Sequence, residues 1–236
     1  MAPTLRGSGT AGSAGTGNQS VTTSASAVAG DLILIVVNVN NTSSGVHPTP
    51  ASTGFTSLGA STASVWSRTT LLGKIASGSE GSSYTISGFT GADAKFAAVI
   101  IYSSVDSALP SNIVTTPDAS SNTTWSIPAL TTAAANSLDV AIVGYGGNVS
   151  QVNGGTLSSW GGSLTELIDN NVDGGGGNFF AGLGVATATR ASAGLQSATS
   201  VTAGVSDVSA AIRLEVLDAT GGGATLPLLN ATYRII

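Results

Sequence analysis

Short apolar blocks recur along the chain, each bounded by Gly, Ser, Thr, Asn or Pro. Such blocks, too short for helices and rich in Val, Ile, Thr and aromatic residues, read as β-strands. They fall at 20–27, 31–40, 55–59, 64–76, 82–88 and 95–105 in the first half. In the second they fall at 123–130, 137–146, 163–168, 179–189, 198–204 and 209–218. No long window carries apolar residues at helical spacing, and Glu, Lys, Gln and Arg are scarce. About twelve strands at this spacing predict an all-β fold, an antiparallel, jelly-roll-like β-sandwich.

The pattern within each block predicts which faces are covered. In "SAAIRLEVLD" (209–218), Ile212, Leu214 and Val216 alternate with Arg213 and Glu215, the pattern of a strand with one wet face. "LILIVV" (32–37) is apolar at every position, so both of its faces should be covered. The second cover comes from this chain or from a neighbouring one, and the reading favours the neighbour.

The two halves match in order. "AGDLILIVVNVNN" (29–41) aligns with "ANSLDVAIVGYGG" (135–147) at an offset of 106, and "FTSL" (55–58) with "LTEL" (164–167) at 109. "GADAKFAAVIIY" (91–102) aligns with "GVSDVSAAIRLE" (204–215) at 113. Pseudo-duplicated halves of about 20–105 and 123–218 are therefore expected, as one interlocked domain or two small sandwiches. Segment 105–122, with Pro110 and Pro117, is the crossover.

Two extended terminal arms flank this body. Residues 1–19 hold one cation and cannot make a core of their own. Residues 219–236, "ATGGGATLPLLNATYRII", join a Gly hinge to an apolar end carrying Leu226, Leu228, Leu229, Tyr233, Ile235 and Ile236. Exposed, that end is an aggregation hazard. It is expected either to fold back as an edge strand or to dock on another subunit, with those six residues as the subunit-docking contacts.

Composition narrows the functions. Charged residues make up 8% of the chain, against about 25% in ordinary soluble domains, and the net charge is -5. With seven Lys and Arg in total, neither a run of phosphates nor an anionic membrane surface is matched, so no nucleic-acid or membrane partner is expected. Cysteine is absent, which removes disulfides, thiolate metal sites and a thiol nucleophile. No 7–15-residue apolar run follows Arg6, so no secretory signal is read there.

The candidate chemistry is sparse. Asp169, Asn171 and Asp173, followed by Gly174, resemble the opening of a calcium loop. The twelfth position, where such a loop needs a bidentate Glu, is Phe180, and a hairpin tip is the better reading. His47, the single histidine, reads as an exposed loop residue and would have to serve any Ser–His–Asp triad. Trp66 and Trp125 lie on predicted strands and read as core; Trp160, in a predicted loop, is the candidate for stacking on a glycan. No catalytic set, metal centre or cofactor is expected.

"AGDLILIVVNV" (29–39), "TPASTGFTSLG" (49–59), "LLGKIASGSEGSSYTISG" (71–88) and "AAVIIYSSVD" (97–106) together resemble a β-sandwich module of bacteriophage virion proteins, of the minor structural, minor tail or capsid decoration type. "TTAAANSLDVAIVGYGG" (131–147) and "AAIRLEVLD" (210–218) resemble its second half. These motifs mark strands and turns, so no functional residue is carried over. The resemblance implies a non-enzymatic virion protein, capsid decoration, head-fibre or tail-associated, assembled in the host bacterial cytoplasm. Its partners would be other virion proteins and further copies of itself, as in a trimer. The alternative is a glycan-binding adhesin module on a phage tail or bacterial surface, with Trp160 as its contact.

Overall fold

A computed structural model describes residues 1–41, 47–147, 157–174 and 179–220. Among them are fifteen strands and no helix: β1 (Thr4–Ala14), β2 (Gln19–Thr22), β3 (Leu32–Asn40), β4 (Thr56–Ser64), β5 (Ser67–Ile75), β6 (Ser83–Ile86), β7 (Ala94–Ser103), β8 (Ile113–Ile127), β9 (Leu130–Thr132), β10 (Ser137–Gly147), β11 (Leu157–Ser158), β12 (Thr165–Asp173), β13 (Phe180–Arg190), β14 (Gly194–Gln196) and β15 (Thr199–Val216). Every pairing is antiparallel.

The first half supplies one sheet in the order β1-β7-β3-β5-β4. The second half supplies the other, β15-β10-β13-β12, with β8 and β11 both pairing to β15. The fold is thus an antiparallel β-sandwich, but a jelly roll would send the chain back and forth between the sheets. Here residues 4–103 build one sheet and 113–216 the other. The inner faces meet in a shared apolar layer that includes Leu34, Val36 and Ile100 from one sheet and Val140, Ile142 and Leu214 from the other.

The outer faces are covered too. Ile33, Ile35, Val37, Val99 and Ile101 pack under Val21, Tyr84 and Ile86 of the β2–β6 pair and under Phe89. The second cover of "LILIVV" is therefore this chain itself and not a neighbour, because the short β2 and β6 strands fold back over β3. On the second sheet, Ala141, Val143 and Tyr145 lie under Trp125, Ile127 and Val201, where β8 and the start of β15 bend over the face. Arg213 and Glu215, expected on a wet face, are 0% and 2% exposed. The alternation on β15 separates an apolar inner face from a polar face that is buried as well.

Several weakly patterned segments are strands. Residues 4–14, read as part of an arm, form the edge strand β1, paired with β7 from Thr4 to Ala14. Its glycines allow close approach: a Cβ on Gly9 would sit 2.0 Å from the carbonyl oxygen of Thr22. Much of the crossover, 113–122, is the outer part of β8, where Pro117 faces Ala210 of β15. Proline is tolerated there because β8 pairs on one side only. "SVWSRTTLLGKIA" splits into two strands that turn at Val65–Trp66.

The register relates the halves. β3 pairs β7 with Leu32 opposite Tyr102, and β10 pairs β15 with Leu138 opposite Val216. Matching 32 to 138 therefore matches 102 to 216, an offset of 114 and not 113. One residue exchanges the faces of a strand, and 114 is the value that keeps inner positions inner. Each sheet carries a bulge in an edge strand, at Leu58 in β4 and at Leu167 in β12.

One end of the apolar layer is pinned by polar groups of the first sheet. Asn38 Nδ2 donates to the Tyr145 carbonyl at 2.7 Å, and Asn40 Nδ2 to those of Gly147 and Phe180 at 2.8 and 2.9 Å. Thr69 Oγ1 donates to the Ala210 carbonyl at 2.9 Å, and Ser67 Oγ to Asn38 Oδ1 at 3.0 Å. The close approach requires glycine opposite: a Cβ on Gly144 would lie 1.9 Å from Thr69 Oγ1 and 2.7 Å from Asn38 Oδ1. Gly144→Ala should lower unfolding free energy by about 2–3 kcal/mol in a urea titration. Gly17→Ala, with open space around the added methyl, should leave the midpoint unchanged within about 0.5 kcal/mol.

Candidate functional site

Most charged side chains of the described residues are engaged with one another or with polar groups of the body. Asp139, on the outer face of β10, accepts from Arg213 Nε and Nη2 at 2.9 and 2.8 Å and from Arg190 Nε at 3.0 Å. Arg213 Nη1 also donates to the carbonyls of Pro128 and Ser197, tying down the chain on either side of the β9–β14 pair. Glu215 accepts from the backbone N–H groups of Ala133 and Ala134 and from Asn112 Nδ2 at 3.0 Å. In the first half, Asp31 pairs with Arg6 and Glu80 with Lys74 at 2.8 Å. Lys95, 1% exposed, donates to the carbonyls of Ala14 and Gly15 and lies 5.0 Å over the Phe89 ring. Burial lowers its pKa.

The expected site residues do not converge. Asp169, Asn171 and Asp173 lie on β12 at alternate positions, so they share one face but are about 7 Å apart along it. The carboxylate of Asp169 accepts from Leu157 N at 2.6 Å and from the Tyr145 hydroxyl at 3.3 Å, and burial raises its pKa. No group of three metal-ligating acids or histidines occurs among the described residues. The hairpin-tip reading is corrected: β12 and β13 pair antiparallel with Asp173 opposite Phe180, and these three residues are strand rather than tip.

His47 is half-buried instead of exposed. Its Nε2 donates to the Ser64 carbonyl at 2.6 Å, and burial lowers its pKa. Trp125 is fully buried, 5.1 Å from Tyr145 between ring centroids, as expected. Trp66 is not core: at the β4–β5 turn it stacks on Phe179. Trp160 donates from Nε1 to Glu166 at 2.9 Å, and the edge of its ring approaches Gly184, partly buried against the outer cluster of the second sheet. The docking candidates Leu226, Leu228, Leu229, Tyr233, Ile235 and Ile236 lie outside the described residues.

Two concavities were not legible in the sequence. A cavity of about 140 Å³ opens where the crossover meets the end of β15, lined by Val105, Ala108, Leu109, Pro110, Val216 and Leu217 among others. A shallower groove of about 210 Å³ is lined by Phe55, Tyr84, Lys74 and Glu80 with Ser52 and Thr85. Phe55 and Tyr84 meet edge to face at 6.2 Å, and the Lys74 ammonium lies 5.9 Å from the Phe55 centroid. The groove combines an apolar floor with hydroxyl, ammonium and carboxylate groups on its walls. It is formed by two separate stretches, 52–55 and 74–85, which no local pattern brings together.

Asp207 is the one carboxylate pushed well upward. It sits at the register shift of β15, 7% exposed, with no hydrogen-bond partner for Oδ2 among the described residues. Burial is the main cause of its rise to about 6, partly offset by the Val208 N–H. No family model, curated protein or solved structure matches the chain.

The sign of the Asp207 effect is fixed by its raised pKa. Between about pH 4 and 6 the folded chain holds a proton that the unfolded chain releases, so this contribution is complete below about pH 4 and is lost as pH rises to 6. Its size is at most about 3 kcal/mol. Asp207→Asn should be more stable than wild type at pH 7 by about 1–2 kcal/mol, with the gap closing toward pH 4, in paired urea titrations. By contrast, Asp139→Asn strips the buried Arg213 and the partly buried Arg190 of their counter-charge and should cost about 3–5 kcal/mol at pH 7.

Proposed function

We propose that the chain is a non-enzymatic structural protein of a bacteriophage particle, a capsid decoration, head-fibre or tail-associated component, assembled in the host cytoplasm as a homo-oligomer beside other virion proteins. The observation that carries this reading is where the charges go. Asp139, Arg190, Arg213, Glu215, Asp31 and Arg6 are engaged with one another or with backbone groups, and so serve the body's own strands and connections. A body of this kind meets partners through shape and apolar contact. The stretch that resembles phage virion modules, 20–218, spans both sheets.

Duplication of one half accounts for the architecture. The order β1-β7-β3-β5-β4 is matched by β8-β15-β10-β13-β12, and β2–β6 by β9–β14. Gly30, two residues before β3, and Asn136, directly before β10, both have positive φ. The sheet edges meet reciprocally, β4 beside β8 and β1 beside β12.

A chain ending at Thr220 should stay folded and soluble, with an unfolding midpoint within about 1 kcal/mol of the full chain, but should no longer join particles when produced during phage assembly. Normal incorporation of the truncated chain, measured by mass spectrometry of purified particles, would remove the docking role from 221–236.

The glycan-binding reading is favoured by the Phe55–Tyr84–Lys74 groove, which offers an aromatic ring beside hydrogen-bonding groups, more than by Trp160. On a glycan array, this reading expects binding that Phe55→Ala weakens at least about tenfold, with Trp160→Ala having the smaller effect. An array without signal for the wild-type chain would dismiss it.

A further inference from the structure

We propose that Asp207 makes the bend of β15 a proton-controlled latch. With its carboxyl protonated, β8 and the start of β15 lie closed over the outer face of the second sheet; ionisation loosens them from it. The inference goes beyond the virion reading and stands without it.

The first support is where the carboxyl lies. Asp207, Ser209 and Ala211 alternate on the covered outer face of the second sheet, with Tyr145 of β10 opposite Ser209. A Cβ on Gly147 would lie 2.2 and 2.3 Å from the two Asp207 carboxyl oxygens, so the group rests directly against the end of β10. Oδ1 accepts from Val208 N at 3.3 Å. Oδ2 and the buried hydroxyl of Ser209 have no hydrogen-bond partner among the described residues.

The second is the absence of a counter-charge among the described residues. The titratable groups on the strands beside Asp207 are Asp118 of β8, opposite Ser209, and Tyr145 of β10. Asp118 accepts from Ser120 N and Asn122 Nδ2, and Tyr145 donates to Asp169. β11 brings only Leu157 and Ser158, and residues 148–156, which follow Gly147 in sequence, include no ionisable side chain. A buried carboxylate without a cation or a full set of donors takes up a proton instead of bearing its charge. The rise of its pKa to about 6, caused by burial, agrees with that placement.

The third is mechanical. The pairing of β15 with β8 is interrupted here: Thr199–Thr202 face Thr124–Ile127, and after a register shift Asp207 faces Asn122, with a second shift before Ser209. The indole N–H of Trp125 spans the break, donating to the carbonyls of Asp207 at 2.9 Å and Asn122 at 3.0 Å. Beyond the break, Trp125, Ile127 and Val201 cover Ala141, Val143 and Tyr145. The cover is thus joined to the rest of the ladder through the residue that carries the unpaired carboxyl. A segment bounded by an interrupted ladder opens as a unit at lower cost than the whole fold.

Opening brings the carboxyl to water and returns it to its ordinary range. The latch is therefore fully closed below about pH 4 and released as pH rises through about 6. The span from 3.8 to about 6 corresponds to a change of up to about a hundredfold in the opening equilibrium.

The test is hydrogen exchange of the full chain followed by mass spectrometry at pH 4.5 and pH 7, corrected for the intrinsic exchange rate. Protection over 199–207 is expected to weaken at least about tenfold at pH 7 in wild type and less than about threefold in Asp207→Asn. Protection of β3 should stay constant as the internal reference. Unchanged protection of 199–207 in wild type would overturn the proposal, and so would equal weakening in the variant. Equal weakening of β3 would show a global effect and overturn it too. A second measurement uses a Trp66→Phe, Trp160→Phe chain, in which Trp125 is the remaining tryptophan. Acrylamide should quench its fluorescence at least about twofold more strongly at pH 7 than at pH 4.5, and Asp207→Asn should remove the difference. Equal quenching at the two pH values would refute the latch.

Discussion

The molecule depends on one apolar layer, shared between two sheets that come from different halves of the chain. Leu32, Leu34 and Val36 on one side and Val140, Ile142 and Leu214 on the other are each almost inaccessible to water. Each half of about a hundred residues carries a smaller cluster on its outer face, but its inner face is closed only by the other half. The hydrophobic gain scales with area removed from water, at roughly 25 cal/mol per Å². Most of that area is available to neither half alone. The crossover and the reciprocal edge contacts, β4 with β8 and β1 with β12, result from bringing those two faces together.

Covering both faces of both sheets has a cost in polar placement. A strand in such a sheet has no wet side, so any charged residue on it must be neutralised in place. β10 and β15 solve this with a single carboxylate, Asp139, shared by two guanidinium groups, and with Glu215 capping backbone N–H groups. Arginine fits this role because its planar donors reach Asp139 and two backbone carbonyls at once. The low charge content of the chain is consistent with a body in which few strand positions face open water. Where neutralisation is incomplete, as at Asp207, the group shifts toward its protonated form instead.

Strands whose own residues specify burial were legible in the sequence. β3, β7, β10 and β13 are near-continuous apolar runs, and their limits were read to within one or two residues. The edge strands were not. β1 (TLRGSGTAGSA) and the outer part of β8 are written in Gly, Ser and Thr because one side has no partner strand and the glycines serve close approach. Alternation on β15 was read correctly as two unlike faces, but period two cannot distinguish a face in water from one under a second layer. The bulges at Leu58 and Leu167 and the 114 offset are properties of register, which pairing sets and local composition does not. The site-level reading suffered in the same way. Asp169, Asn171 and Asp173 were adjacent in pattern yet spread along a strand, whereas Phe55, Lys74 and Tyr84 were scattered in sequence yet line one groove.

The layers also confine what is left open. Two covers, the β2–β6 pair on one side and β8 with the start of β15 on the other, close the outer faces of the sandwich. Among the described residues, the apolar cavity of about 140 Å³ lies instead at one end, between the crossover and the end of β15. A sandwich covered on both flanks leaves its unfilled apolar surface at the ends, where strands stop and connections cross.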